Sequence, residues 1–382
     1  MFGLSIADST MRTLLYGFAF VAMATAAAGP WAVAQAAEER PALPATRPSG
    51  NPGEKPAKVP TEKDLAAYLF VFFKDDDHSL HFALSRDGYT FTDVNRGKPI
   101  MSGRDLGEQK GIRDPYIARA PDGAFLIGLT DLHIFAKREG LRDTEWERPK
   151  ELYDWGNNRA LVFMKSYDLV NWTHTIYHVG EAFEKFKDVG CLWAPQMIWD
   201  EAKGKMLVSF TTRFGKGKNK LYYAYADDAF TKFEAEPQEL FKYPRDNNII
   251  DSDITKVGDK YHLFYVAHEK PGGIRQAVSD KVNEGYVFDG TKVDPEKVAC
   301  EAPSVWRRIG TDTYVLMYDV FGVKPHNFGF SETTDFKTFK PLGRFNEGVM
   351  KTTNFTSPKH GAILPITLEE ANALAARWEC AF

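Results

Sequence analysis

Cysteine, surplus charge of either sign and long apolar runs are all scarce in this chain. Three cysteines in 382 residues are too few for a disulfide scaffold. Cys191, Cys300 and Cys380 also lack the C-x-x-C spacing of a zinc site. The 48 basic and 52 acidic side chains leave a formal net charge of −4, without the basic excess of a nucleic-acid binder. Beyond residue 36 no apolar stretch is long enough to span a bilayer. Hydrophobic residues at 43% and charged residues at 26% exclude wholesale disorder, collagen-like repeats and a coiled coil. Aromatic residues, by contrast, are abundant: 28 Phe, 16 Tyr and 8 Trp, or 14%. They suit β-strands and surfaces that stack on flat apolar ligands.

The one long apolar run is amino-terminal. From Met11 the chain reads MRTLLYGFAFVAMATAAAGPWAVAQA. One basic residue, an Ala-rich run broken by Gly29-Pro30, and Ala34-Gln35-Ala36 describe an export signal with an A-x-A cleavage site over residues 1–36. Met11 is an alternative start, because residues 1–10 place Asp8 where a signal carries basic charge. The expectation is an exported protein, periplasmic or extracellular, free of the membrane once cleaved. Residues 37–64, rich in Pro, Gly and charge, read as a flexible tether. The folded domain then runs from 65 to 382.

Within that domain one pattern recurs. A polar or Pro-containing opening leads into a strand, a short turn and an aromatic strand. A third strand ends in Ser or Ala followed by an acidic or hydroxyl residue, and a short aromatic strand closes the unit. Four intact copies open at Asp114-Pro115, Ala194-Pro195, Asp253-Ile254 and Ala302-Pro303. A fifth is split: its opening, Ser357–Ile366, lies near the carboxy terminus. Its other strands, Tyr68–Phe73, Leu80–Asp87 and Tyr89–Phe91, lie at the other end of the domain. Repeats of four short antiparallel strands are propeller blades. The sequence therefore predicts an all-β, five-bladed β-propeller closed by pairing amino- and carboxy-terminal strands. Leu368–Trp378 is expected to form an amphipathic helix capped by Thr367 and packed outside. The charged segment Phe135–Trp155 is expected to border one face.

In a propeller the inner strands all begin near the axis, so residues distant in sequence converge there. The five openings carry Asp114, Trp193, Asp251, Glu301 and His360. Singly, each has an ordinary reading: Asp-Pro is a common turn, and Asp251 has a rival in Asp253. Their shared place in the repeat makes them a group. Like charges held close raise at least one pKa. A split into proton donor and ionised base is what glycosidic cleavage needs.

These openings resemble glycoside hydrolase family 43 across about residues 65–370. The resemblance rests on Gly111-Ile112-Arg113-Asp114-Pro115, Leu192-Trp193-Ala194-Pro195-Gln196, Ile250-Asp251-Ser252-Asp253-Ile254, Cys300-Glu301-Ala302-Pro303-Ser304 and Ser357–Ile366. It implies an inverting glycosidase that removes terminal arabinofuranoside, xyloside or galactofuranoside residues. Asp114 would be the general base, Glu301 the general acid, and Asp251 the carboxylate that orients the acid and raises its pKa. Trp193, Arg213 and His360 would bind substrate. No cofactor is implied. An axial calcium is an option that one histidine does not support. The partner is an oligo- or polysaccharide, and the expected state is monomeric. Ala302 stands where the family often has Gly. Arg113-Asp114-Pro115 also resembles fructan-acting propellers of families 32 and 68, which retain configuration, but residues 65–110 lack their Asn-Asp-Pro. A non-catalytic carbohydrate-binding propeller is the alternative of another class. A phosphorolytic enzyme would want basic residues beyond Arg113 and Lys359.

Overall fold

The computed structural model describes residues 50–382. The expected export segment and residues 37–49 of the tether lie outside the described residues. Residues 50–64 touch the ring at more than one place: the Tyr167 amide donates to the Pro52 carbonyl at 2.6 Å, and Glu62 pairs with Arg307 at 2.9 Å.

The chain forms five sheets arranged as blades, numbered I to V here, each with four antiparallel strands and one with a fifth added. Blade I is built on the inner strand Ile112–Arg119, blade II on Val189–Asp200, blade III on Ile249–Val257 and blade IV on Glu301–Arg307. Blade V is the split one. Its inner strand, Lys359–Thr367, pairs with Leu65–Phe73 in register from Leu65–Thr367 to Phe73–Lys359. His81–Ser85 and Thr90–Asp93 complete it, and the two-residue strand Lys351–Thr352 adds in parallel at its rim. Each inner strand packs against its two neighbours around the ring. The five-bladed fold read from the repeats is therefore the fold adopted.

Strand alternation explains how the ring coheres. Successive side chains of a strand point to opposite faces, and both faces of a blade meet another blade. Along Leu65–Phe73, Tyr68, Phe70 and Phe72 pack against blade IV. Ala67, Leu69, Val71 and Phe73 pack against blade I. The other three seams repeat the arrangement, so the buried hydrophobic residues fall into five clusters, one per seam. Most of the aromatic residues serve here. The Phe70 ring has five aromatic neighbours with centroids at 4.8–6.4 Å.

In three of the blades a hydroxyl–acid turn follows the third strand. In blade V the Ser85 hydroxyl accepts from the Gly88 amide and Asp87 from the Thr90 amide. Ser166 and Asp168 bind Leu169 and Asn171 in the same way, as do Thr333 and Asp335 with Phe336 and Thr338. Such side chains stand in for backbone partners in tight turns.

The outer helix is Leu368–Arg377, with a capping box between Thr367 and Glu370. Arg119 binds Glu370 through two 2.7 Å bonds, fixing the helix to blade I. Among the described residues no helix is long and apolar enough to cross a membrane, and the three cysteines are unpaired.

Candidate active site

Each inner strand carries one extra residue at its axial end. The ladder slips between Arg113 and Tyr116, Trp193 and Gln196, Ile250 and Asp253, Glu301 and Ser304, and opposite Phe72 and Phe73 in blade V. These are β-bulges, which bend a strand and re-aim its side chains. At each bulge one residue is left-handed: Asp114 (φ 55°), Ala194 (47°), Asp251 (53°), Ala302 (54°) and His360 (24°). The structure thus sharpens the register read from sequence. Asp114, Asp251 and His360 are equivalent positions, whereas Trp193 and Glu301 stand one residue earlier.

Such backbone costs about 1–3 kcal/mol per residue and must be held by its surroundings. Four of the five bulge amides are caught by a side chain of the preceding blade. Ala194 donates to Thr130 Oγ1 at 2.8 Å and Asp251 to Thr211 Oγ1 at 2.9 Å. His360 donates to Asp319 Oδ2 at 3.3 Å. In blade III the matching position is Val266, which has no acceptor. The Ala302 amide binds Asp251 Oδ2 instead, at 3.1 Å. That bond ties Asp251 to the bulge beside Glu301.

Asp114, Trp193, Asp251, Glu301 and His360 line one cavity of about 70 Å³, together with Arg113, Leu132, Trp155 and Ile250. His360 is its hub. Its Nδ1 lies 3.0 Å from Asp114 Oδ1, and its Nε2 lies 3.0 Å from Glu301 Oε1 and 3.8 Å from Asp251 Oδ2. Thr130 donates to Asp114 Oδ2 at 2.7 Å. Asp253 lies elsewhere. Its carboxyl is fully buried and accepts from the Tyr116 hydroxyl at 2.9 Å. Arg213 does not line the cavity. It is buried behind Trp193, its guanidinium 4.7 Å from the indole, and it donates to the Tyr153 and Trp155 carbonyls. It holds the wall rather than the contents.

Several neighbours were not singled out as site residues from sequence. Lys359 places its ammonium 3.3 Å from both Glu301 and Asp319. Arg113 binds Asp75 at 2.9 Å and lies 3.9 Å from Asp114. Trp155, at the end of the charged segment expected to border a face, stands edge-on to Trp193 with centroids 5.7 Å apart. Asp319 had a signal, as a lone acidic residue in the apolar strand Tyr314–Val320.

Burial raises the cost of every charge here, and the neighbours decide which are kept. Burial opposes a charge on His360, but Asp114, Glu301 and Asp251 together lift its pKa to about 10. Burial, with the charges of Glu301 and Asp114, pushes Asp251 up to about 7, despite His360. Burial also works against Glu301, yet Lys359 and His360 hold it well below the usual carboxylate range. Asp319 is pushed up to about 6, mainly by burial. The resting site therefore keeps Glu301 ionised and His360 protonated, and leaves Asp251 changing charge near neutral pH.

Asp251, Glu301 and His360 each offer a donor atom within 4.8 Å of the others. The set does not fit calcium, which takes roughly six to eight oxygen ligands. Here the third donor is an imidazole nitrogen already bonded to Glu301.

Residues 63–372 match the family-43-related glycosyl hydrolase family, described as "probable glycosyl hydrolase domain". An α-L-arabinofuranosidase of Bifidobacterium longum subsp. longum is 25% identical over 259 residues. The match covers 59% of this chain, which spans only 23% of that curated relative's length. Among solved structures, an endo-1,4-β-xylanase from Bacteroides thetaiotaomicron aligns with a TM-score of 0.53 at 10% identity, over 75% of this chain and 93% of that one. The catalytic domain of a Coprinopsis cinerea GH62 α-L-arabinofuranosidase aligns at 0.44 and 14% identity, over 70% and 78%.

Proposed function

The chain belongs to the family-43-related glycosyl hydrolases, and from that premise we propose that it removes terminal pentose or furanose residues by an inverting mechanism. α-L-Arabinofuranoside is the first candidate, ahead of β-xyloside and galactofuranoside. The observation that carries this reading is the pair of carboxylates on opposite nitrogens of one imidazole. Asp114 and Glu301 are separated by a ring and two 3.0 Å bonds. The ring and its two contacts space the carboxylates on the order of the roughly 6.5–9.5 Å of an inverting pair, with the water entering beside the ring rather than between it and either oxygen. The small cavity, walled by Trp155 and Trp193, suits one sugar ring.

In this reading Asp114 takes the proton of the attacking water, and Thr130 orients its second oxygen. Glu301 gives a proton to the departing oxygen. Glu301 rests ionised, so it must take up a proton once the departing oxygen is in place, and His360 Nε2, 3.0 Å away, is the protonated group beside it. His360 also touches Asp114, so it can return the proton that the base gains to the acid between turnovers. Asp251, hydrogen-bonded to the bulge beside Glu301, holds that side of the site and keeps its charge balance. The protein acts as a monomer outside the cytoplasm. Support for export is the residue 1–36 segment with its Ala34-Gln35-Ala36 end.

A panel of nitrophenyl arabinofuranoside, xyloside and galactofuranoside tests this, with the product anomer followed by NMR. Asp114→Asn and Glu301→Gln should each lower kcat by about 10²–10⁴ while melting near the native temperature. A retained anomer points instead to a fructan-type retaining enzyme. Binding without release of sugar points to a carbohydrate-binding propeller.

A further inference from the structure

The repeat lets one position be compared across all five blades. On the second strand, opposite the residue that precedes each bulge, stand Thr130, Thr211, Val266, Asp319 and Phe73. Thr130 and Thr211 catch the next blade's bulge amide with a neutral hydroxyl. Asp319 catches the His360 amide with a carboxylate. A hydroxyl is enough for that bond, so the charge on Asp319 has another reason.

That charge is costly where it stands. Asp319 is fully buried and lies directly across the ladder from Glu301, a placement in which like charges repel. Its Oδ1 has no hydrogen-bond partner, and the residue lines no part of the small cavity. The charges that face it are Lys359 and His360 on blade V and Glu301 on its own blade. Phe328, its neighbour on the third strand, is uncharged. Lys359 stands between the two carboxylates, its Nζ 3.3 Å from Glu301 Oε1 and 3.3 Å from Asp319 Oδ2. Asp319 is the chief charge favouring that ammonium, ahead of Glu301, with Arg113 opposing and Asp75 adding to it.

Glu301 must gain a proton before it can give one, and Lys359 works against that gain. An ammonium shared by two carboxylates holds each less firmly than it would hold one. The charge of Asp319 itself also disfavours a charge on Glu301. Resting on the acid role given above to Glu301, we propose that Asp319 is a positioning residue for the reaction. It holds the Lys359 ammonium back from full pairing with Glu301 and so lets Glu301 take up the proton that it delivers. Asp319 touches neither the small cavity nor the departing oxygen, and acts through Lys359 and Glu301.

The test compares two glycosides in the full-length protein. Methyl α-L-arabinofuranoside needs its departing oxygen protonated, whereas a nitrophenolate leaves without a proton. Where another pentoside or furanoside is the one hydrolysed, its methyl and nitrophenyl pair is used. Asp319→Asn keeps the shape and the acceptor for the His360 amide but removes the charge. It should lower kcat on the methyl glycoside about tenfold, with KM unchanged, and leave the nitrophenyl glycoside nearly unaffected. The limb of the pH profile assigned to Glu301 should move to lower pH by about one unit, opposite to Lys359→Met, with the double variant between the two. Should Asp319→Asn fail to fold, Asp319→Thr, with the hydroxyl that blades I and II use, carries the same comparison. An unmoved limb, or an equal loss on both glycosides, overturns the proposal and leaves Asp319 as a residue that only secures the His360 amide, while the carboxylate assignment stands. If the native protein hydrolyses no methyl or nitrophenyl glycoside of any pair, the acid role of Glu301 fails and takes the proposal with it.

Discussion

At the scale of residues, the site is a set of mutually dependent charges. Asp75, Arg113, Asp114, Asp251, Glu301, Asp319, Lys359 and His360 share the axial end of the ring within a few hydrogen bonds of one another. Removing one moves the others. Lys359 is the chief favourable charge on Glu301, so Lys359→Met should shift Glu301's titration to higher pH. The pH dependence of kcat/KM reads this directly: the limb assigned to Glu301 moves up in the variant, and a merely structural lysine would leave it in place. Asp253 behaves differently because it stands apart from the cluster. Burial lifts it to about 7, above the roughly 3.9 of an unfolded chain. Its stabilising contribution is therefore complete below about pH 4 and lost as pH rises through 7. Relative to Asp253→Asn, the native protein should lose stability over that window, as measured by urea denaturation at pH 4.5 and 7.5. Sequence position alone picked out the three carboxylates and His360, since each occupies the same place in a repeat. It gave no sign that Lys359 would reach Asp319. That contact joins two blades, and nothing local encodes it.

At the scale of elements, the bulge is what turns a plain strand end into a site. The ladder slip and the left-handed residue recur in every blade, yet only three of the five positions hold ionisable groups. Ala194 and Ala302 occupy the same backbone without contributing charge. The bulge depends on the preceding blade for its hydrogen bond, so Thr211→Val should strand the buried Asp251 amide. The expected cost is about 1–3 kcal/mol, visible in chemical denaturation, with lower activity because Asp251 sits at that amide. Strand alternation and the hydroxyl–acid turns made the blades legible from sequence, because both are local patterns of period two or of fixed offset. The bulges were not legible. They lack a glycine to mark them: at Asp114, Asp251 and His360 the residue that bears the strain is the one that bears the chemistry.

At the scale of the whole molecule, five hydrophobic seams hold five blades, and four of the blades are continuous in the chain. The split copy announced itself because each half lacks what the other supplies, and the pairing of Leu65–Phe73 with Lys359–Thr367 completes the ring. Its consequence is mechanical. Around the circle, neighbouring blades are joined by a peptide link, except at this blade, where the circuit is closed only by hydrogen bonds and packing. The paired strands act as a clasp, and a clasp can be moved. A circular permutant that joins the ends through a flexible linker and opens the chain at the exposed Lys203–Gly204 turn would weld blade V shut. It would relocate the seam to blade II. Thermal melting of that permutant near the native temperature, with activity intact, is the expected result. A large loss of stability would mean that blade V's strands are suited to clasping in a way that blade II's are not.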